Sequence, residues 1–455
     1  MSAGPDEPWP NRTFAFYALA VLLIAYIVAF IDRIIMAMLV GPIRADLGLN
    51  DTAIALANGV AFTVFYSLMG LPFGRMVDRV SRKGVIAAGV AIWSLFAAAS
   101  GLARNFLTLF ACRMGVGVGE AALTPGAYSV IADYFPPRVR GRAISIYTLG
   151  ASLGSGLAYF LGGLLIQFAS QKEAIAVPLL GDVAPWRFVF IAMGLPGLVV
   201  AVLVLTIKDP PRRSDPEHAA SSDGASFTRF LRENRRIVAT YLFGYGLMVL
   251  PFSALLFWGP AFMARHHHMT PAEIGVAYGL IFLGPGIAGQ FAGAALSDWR
   301  YGRGVADAHF QTGFICALAL VPVALFATTT DSASVSIVAQ GLLVFFVCGA
   351  VGHQAAVGTL LAPNALRGQL AALYILMQNL LSQILSNVAV AVATDTVLRD
   401  SGRIGIAMAV VGVFGGASGA GILSLGLKPL RTALHLRSAH EGGPAMATLT
   451  PRKLA

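Results

Sequence analysis

Charge is scarce in this sequence. Asp, Glu, Lys and Arg make up 12% of 455 residues, about half the share usual in soluble domains. That shortage excludes an ordinary water-soluble protein, and 57% apolar side chains with a mean hydropathy of +0.73 place the chain in a bilayer. Cysteine is nearly absent too. Cys112, Cys316 and Cys348 lie inside apolar runs with no CxxC pair, which removes a disulfide framework and a zinc site and leaves three small helix-packing residues. Long polar stretches are missing, so no large soluble domain fits between spans of roughly 20 residues each. The short polar start, with Asp6 and Glu7, leads into an apolar run from Phe14 to Val40. That run exceeds a signal-peptide core and is expected to be kept as the first span. The net charge of +10 would suggest nucleic acid in a soluble protein. Here its position decides its meaning.

Apolar stretches bounded by charges or Pro/Gly clusters predict twelve helices, over residues 14–40, 52–73, 84–104, 106–132, 141–168, 187–207, 236–264, 272–296, 308–329, 334–361, 369–397 and 402–427. Placing alternate loops on opposite sides puts 23 of the 32 lysines and arginines with the two termini. Seven fall on the other side (Arg44, Arg104, Lys172, Arg187, Arg265, Arg399 and Arg403), and Arg33 and Arg113 lie within spans. This bias predicts cytoplasmic termini. The excess charge then orients helices and meets anionic lipid headgroups, so no nucleic-acid partner is expected. Arginine outnumbers lysine 27 to 5 and the tails are short, which points to a bacterial inner membrane. Asn11-Arg12-Thr13 fits a glycosylation sequon but falls on the cytoplasmic side.

The longest charged segment divides the chain. The expected organisation is a cytoplasmic tail over 1–13, a six-helix bundle over 14–207, a linker over 208–235, a second six-helix bundle over 236–427 and a tail over 428–455. The linker's Asp209-Pro210-Pro211 start reads as disordered. Its end carries Phe227, Phe230 and Leu231 at i, i+3, i+4, so a short interfacial helix is expected there, against the alternative of a merely basic linker. The halves resemble each other: Pro136-x3-Arg140-Gly141 recurs as Pro363-x3-Arg367-Gly368, and Asp78 has a counterpart in Asp298. Near-equal offsets suggest a duplicated six-helix unit, a repeat logic used by secondary transporters.

The loop after span two reads Gly74-Arg-Met-Val-Asp78-Arg79-Val-Ser-Arg82-Lys83. It resembles the G-x-x-x-D-R-x-x-R-K signature of the major facilitator superfamily, as do Arg113-x3-Gly117 in span four and the glycine-rich span five. Within that superfamily, the run from Arg113 through Glu120, the stretch Tyr134 to Ala143, and Phe30-Ile-Asp32-Arg33 are similar to the spinster branch. The resemblance implies an all-α membrane protein of two pseudo-symmetric six-helix bundles. It also implies a transporter of amphipathic substrates with charged headgroups, of the sphingosine phosphate or lysophospholipid type. The second loop copy departs from the pattern, with Ala294 where the glycine would sit.

Ionisable groups near the bilayer centre cost several kcal/mol unless they face partners or water. Four are clearly intramembrane: Asp32, Arg33, Arg113 and Glu120. At 1.5 Å per residue, Asp32 lies about 12 Å from the outer end of span one and Arg113 about 10 Å from the outer start of span four, so they meet at one depth. Arg113, Gly117, Glu120 and Thr124 share one helix face. Two arginines and two carboxylates sum to zero when charged, and burial and a neighbouring guanidinium act oppositely on a carboxylate's proton affinity. Glu120 is expected to be the principal proton-coupling group, with Asp32 orienting an arginine or sharing the proton. Arg33 and Arg113 are expected to attract an anionic headgroup. The competing reading is a permanent salt-bridge cluster that only fixes packing.

The second half has polar faces without buried carboxylates. Asn379, Gln383 and Asn387 repeat every four residues in span eleven, and span ten offers His353 and Gln354. Headgroup contact is expected of these, with proton relay or packing open for His353. Tyr241, Tyr245, Met248 and Phe252, beside Trp258, form a stripe on span seven. It suits an acyl-chain pocket or ordinary helix packing. At the cytoplasmic edge, Asp78 is placed to cap span eleven near Gly368, and Asp133 to pair with Arg79 or Arg140. With Arg82, Asp298 and Arg367 these charges form the expected gate.

Gly150-Ala-Ser152-Leu-Gly154 spells a nucleophile elbow but lies in a helical run, without strand or tight turn. No enzyme is expected. Three adjacent histidines, His266 to His268, read as a solvated loop rather than a metal site, and no cofactor is expected. The function expected is a monomeric, proton-coupled secondary transporter of an amphipathic substrate, with membrane lipids and protons as its partners. The alternatives are a carrier of small organic anions or drugs and, behind it, a non-transporting membrane sensor.

Overall fold

The structure, a computed structural model, describes residues 2–3, 9–178, 180–213, 224–305, 307–363 and 366–440. Twelve helices long and apolar enough to cross a membrane follow one another: span 1 (Arg12–Met38), span 2 (Asp51–Val77), span 3 (Arg82–Ser100), span 4 (Phe106–Tyr134), span 5 (Arg138–Ala169), span 6 (Pro185–Leu205), span 7 (Arg235–His266), span 8 (Pro271–Gly302), span 9 (Ala308–Thr329), span 10 (Ala333–Val351), span 11 (Arg367–Leu398) and span 12 (Ser401–Leu427). Each corresponds to a stretch expected from the apolar pattern, and the chain is an integral membrane protein.

Local sequence explains where the helices begin. Asn105 and Thr270 form reciprocal capping boxes with Thr108 and Glu273, and Asn50, Ser81 and Ser332 accept from backbone N–H groups at their helix starts. Proline opens spans 6 and 8 where its missing N–H is not needed. Several spans are not uniform. Wide π-helical turns interrupt span 2 at Leu56–Ala61, span 8 at Phe282–Gly286 and span 11 at Leu380–Ser386 and Ala393–Leu398. Span 4 breaks directly after Glu120 and resumes at Leu123.

The two six-helix bundles meet through small residues. A Cβ on Gly163 of span 5 would lie 2.6 Å from the Pro271 carbonyl and 2.8 Å from the Cα of Gly275 in span 8. Such glycine-on-glycine contact lets two backbones approach closely without a hydrophobic drive between helices. Opposite-sense evidence comes from Gly141 and Gly368, at the end that carries the termini, where nothing lies within 4 Å.

The internal duplication is visible in detail. Arg140 Nε donates to the Phe135 carbonyl at 3.4 Å, and Arg367 Nε donates to the Ala362 carbonyl at 3.3 Å, the same bond in each half. A short helix, Gly224–Glu233, stands where an interfacial helix is expected, with Phe230 buried. The linker start corrects the expectation of disorder. Ser81 Oγ donates to Asp209 at 2.7 Å, Arg82 donates to the Pro210 carbonyl, and Arg212 donates to the Val77 and Val80 carbonyls at 2.9 and 2.8 Å. Proline-rich backbone has few donors of its own, so its carbonyls serve as acceptors for the loop it crosses. Arg212–Arg213 also pairs in parallel with Ser2–Ala3.

Gly163→Val should destabilise the protein by about 1–3 kcal/mol through overpacking. Gly141→Ala, with open space around it, should stay within about 1 kcal/mol of wild type. Thermal unfolding in detergent micelles distinguishes them. Equal behaviour of the two variants would show that the span 5–span 8 contact is not tight.

Candidate functional site

The four intramembrane charges converge. Arg33 Nε donates to Glu120 Oε2 at 2.5 Å, with the Glu120 side chain 1% exposed and that of Arg33 27% exposed. Glu120 is therefore the buried anchor, and Arg33 is the member that faces the space between the bundles. Aromatic rings surround its guanidinium: Phe30, Phe62 and Tyr66 have centroids 5.1, 4.8 and 4.9 Å away. Ring faces replace part of the lost hydration of a cation.

Arg113 is nearly fully buried and donates to Asn58 Oδ1 at 3.1 Å, while Phe62 lies 5.7 Å from it on the other side. Its Nε and Nη1 have no hydrogen-bond partner. Asp32 is 1% exposed, and neither carboxylate oxygen has one either. Glu120, Arg113 and the Trp93 indole are the groups that act on Asp32, Trp93 without reaching hydrogen-bond geometry. Close backbone approach makes this concentration of charge possible. A Cβ on Gly117 would sit 2.5 Å from the Phe62 carbonyl, and one on Gly119 2.5 Å from the Trp93 nitrogen.

A central cavity takes Arg33, Arg113, Asn58, Thr63 and Tyr66 from the first bundle and Leu256, Phe257, Asn379 and Gln383 from the second. The structure thus brings Arg33, Arg113, Asn379 and Gln383 together as expected. Asn58, Thr63 and Tyr66 were missed, although two of them are polar residues in an apolar span. The face of span 2 that carries Thr63 and Tyr66 continues through Gly70 and Gly74, which have nothing within 4 Å.

Other expected site residues are placed elsewhere. Tyr241, Tyr245, Met248 and Trp258 are buried inside the second bundle, not against the cavity. Their polar tips find partners there: Gln354 Nε2 donates to the Tyr241 hydroxyl at 2.5 Å, Tyr245 donates to the His309 carbonyl at 3.1 Å, and Trp258 Nε1 donates to the Asn387 carbonyl at 3.1 Å. Gln354 is thereby also drawn into packing. Phe252 is partly buried and packs edge-on against Phe282. The side chains of His353 and Asp78 lie outside the described residues.

Among the expected gate charges, Asp133 is reached by Arg82, which is 2% exposed and lies within 3.9 Å of Asp209. Arg79 and Asp298 are exposed. Among the described residues, the Arg82 contacts lie on the first bundle or the linker start. The ion pairs that join the two bundles sit, among the described residues, at the opposite end, where no gate was expected. Asp51, fully buried, accepts from Arg265 Nη1 and Nη2 at 2.8 and 2.9 Å and lies 3.1 Å from Arg44 Nη1. The Thr52 backbone and hydroxyl both donate to Asp395 at 2.7 Å. These contacts hold the two bundles together at the far end.

Removing one partner of such a bidentate buried pair leaves an uncompensated charge. Asp51→Asn should therefore lengthen the distance between spin labels at positions 48 and 268, read by pulsed electron resonance. An unchanged distance distribution would show that Asp51 does not hold the far end shut.

The sequence model of the Major Facilitator Superfamily matches residues 22–387. The chain is 30% identical over 295 residues to an MFS-type efflux pump of Mycolicibacterium smegmatis, covering 64% of each. It is 26% identical over 300 residues to Protein spinster of Drosophila melanogaster, covering 63% of this chain and 46% of that one. Against a probable L-galactonate transporter of Escherichia coli the figures are 26% over 336 residues and 70% of each. The chain thus spans less than two thirds of the length of the pump and of Protein spinster. Among solved structures, a bacterial homolog of the human lysosomal transporter Spinster, inward-facing and unoccupied, superposes with a TM-score of 0.73 at 25% identity, covering 94% of this chain and 98% of that one. The chain belongs to the major facilitator superfamily and, within it, resembles the spinster proteins.

Proposed function

We propose that the protein is a secondary active transporter that moves an amphipathic substrate with an anionic or zwitterionic headgroup by alternating access, coupled to protons. The observation that carries this reading is the Arg33–Glu120 pair, with the cation turned toward the cavity and the carboxylate sealed behind it. A headgroup phosphate or carboxylate entering the cavity competes with Glu120 for Arg33. Glu120 is then left buried without its cation, a state that favours taking up a proton. Asp32, with no donor on either oxygen, is the second group whose cost depends on its proton. Substrate and proton occupancy become linked through a shared arginine.

Alternating access follows from the two ends. The far end is held by Asp51 to Arg265 and by Thr52 to Asp395, and these bonds break when that side opens. The charges around Asp78, Arg79, Arg82, Asp133, Arg140, Asp298 and Arg367 serve the other end, where closure brings span 11 onto the loop between spans 2 and 3. Both termini face the cytoplasm in this reading, in a bacterial inner membrane. The buried stripe of span 7 acts as scaffold for the cavity wall.

A second reading, transport of small organic anions, is favoured by the similarity to the probable L-galactonate transporter and by Asn379 and Gln383 opposite the arginines, a lining suited to hydroxyl-bearing acids. Proteoliposome flux with and without a pH gradient separates the two. Lysophospholipid or sphingosine phosphate is expected to compete for flux better than short sugar acids, and the reverse order would establish the second reading. Glu120→Gln and Asp32→Asn should keep substrate exchange but lose the response to the gradient. Wild-type gradient dependence in both variants would remove proton coupling from this cluster.

A further inference from the structure

We propose that the groove formed by the start of span 1, the end of span 4 and the start of span 5 is a binding site for an anionic membrane phospholipid, separate from the transport cavity. The groove is open on one side and, with the open space at its mouth included, offers about 1160 Å³ not filled by protein atoms. Its floor is apolar, with Phe16 and Phe135 packed edge to face at 5.6 Å and Ile146 along one wall. Its mouth holds Arg12 and Arg142, and Trp9 closes one side. No acidic side chain lines it among the described residues.

Position and charge together select the occupant. The groove opens beside the first residues of spans 1 and 5, so it straddles the boundary where acyl chains end and headgroups begin. Tryptophan and arginine are the residues that sit at that boundary, one for its amphipathic ring and one for its charge. An acyl chain alone would fill the floor with any lipid. Two guanidiniums, with no carboxylate among the described lining residues to neutralise them, favour a net negative headgroup over a zwitterionic one. Each basic residue near the surface contributes roughly 1 kcal/mol toward an anionic lipid, which corresponds to about fivefold in affinity.

The full-length protein in detergent, titrated with phosphatidylglycerol or phosphatidylcholine and read by native mass spectrometry, tests the site. Wild type is expected to retain phosphatidylglycerol over phosphatidylcholine, Arg12→Gln and Arg142→Gln to reduce that preference about fivefold each, and the double variant to abolish it. Neutralising the exposed Arg399 and Arg403 instead should leave it intact. Equal retention of both lipids by wild type, or loss of preference in the control variant alone, would overturn the proposal. A preference that appears only after residues 2–7 are deleted would assign the groove to the chain's own N-terminal segment and also overturn it. Thermal unfolding reports whether each variant is folded.

Discussion

A guanidinium in a hydrocarbon medium needs a carboxylate, an aromatic face or both within reach, and the first bundle is arranged around meeting that need twice. Arg33 takes Glu120 and three rings, and Arg113 takes Asn58 and shares Phe62. The rest follows from this. Spans 2, 3 and 4 must come close enough for short side chains to meet, so glycine stands where span 4 touches spans 2 and 3. Span 4 breaks directly after Glu120, so the carboxylate sits at a helix end rather than in an uninterrupted helix. Span 2 becomes the common element: it supplies Asp51 to the far-end lock, Asn58 to Arg113, Phe62 to both arginines and Tyr66 to the cavity. The π-helical turn at Leu56–Ala61 follows the lock and carries Asn58 of the cavity wall, and a wide turn there gives the helix a place to bend.

The second bundle has the same ancestry and a different chemistry. Its duplicated arginine, Arg367, makes the same carbonyl contact as Arg140, yet it has no intramembrane ion pair among the described residues. Many of its buried polar groups are neutral and hydrogen-bonded, as in Tyr278 to Gln340 at 2.6 Å and Ser386 to the Leu250 carbonyl at 2.8 Å. Asp307, at the start of span 9, is buried as well and corrects the expectation that this half has no buried carboxylate. The two bundles therefore differ at the cavity: the first presents Arg33 and Arg113, and the second presents Asn379 and Gln383 as a neutral polar wall.

What the sequence discloses depends on the range of the signal. Twelve apolar runs and the loop charges are local patterns, and they predicted the spans and the four buried charges. Depth arithmetic along two helices then placed Asp32 and Arg113 at one depth. The far-end lock was illegible because Asp51 and Arg265 are separated by 214 positions and each, taken alone, reads as a loop-edge charge. The stripe from Tyr241 to Trp258 was open between an acyl-chain pocket and ordinary packing for the opposite reason. Helical periodicity says that residues share a face but not which neighbour that face meets, and here the neighbours were spans of the same bundle. Asn58 and Thr63 were visible as polar residues in an apolar run. They gained meaning only when span 2 was seen against Arg113.

The opening scarcity of charge bears on how the protein sits in its membrane. Seven basic residues lie on the far side, but Arg44 and Arg265 share Asp51, Arg187 pairs with Asp46 at 2.9 Å, and Arg403 pairs with Asp400. The field they present to lipid is therefore weaker than their number suggests. At the other end, Arg12, Arg79, Arg138 and Arg142 are exposed and add to one another. Among the described residues, Arg44, Arg187, Arg265 and Arg403 at the far end are thus engaged in ion pairs, while Arg82 at the near end is paired and the arginines at positions 12, 79, 138 and 142 stay exposed.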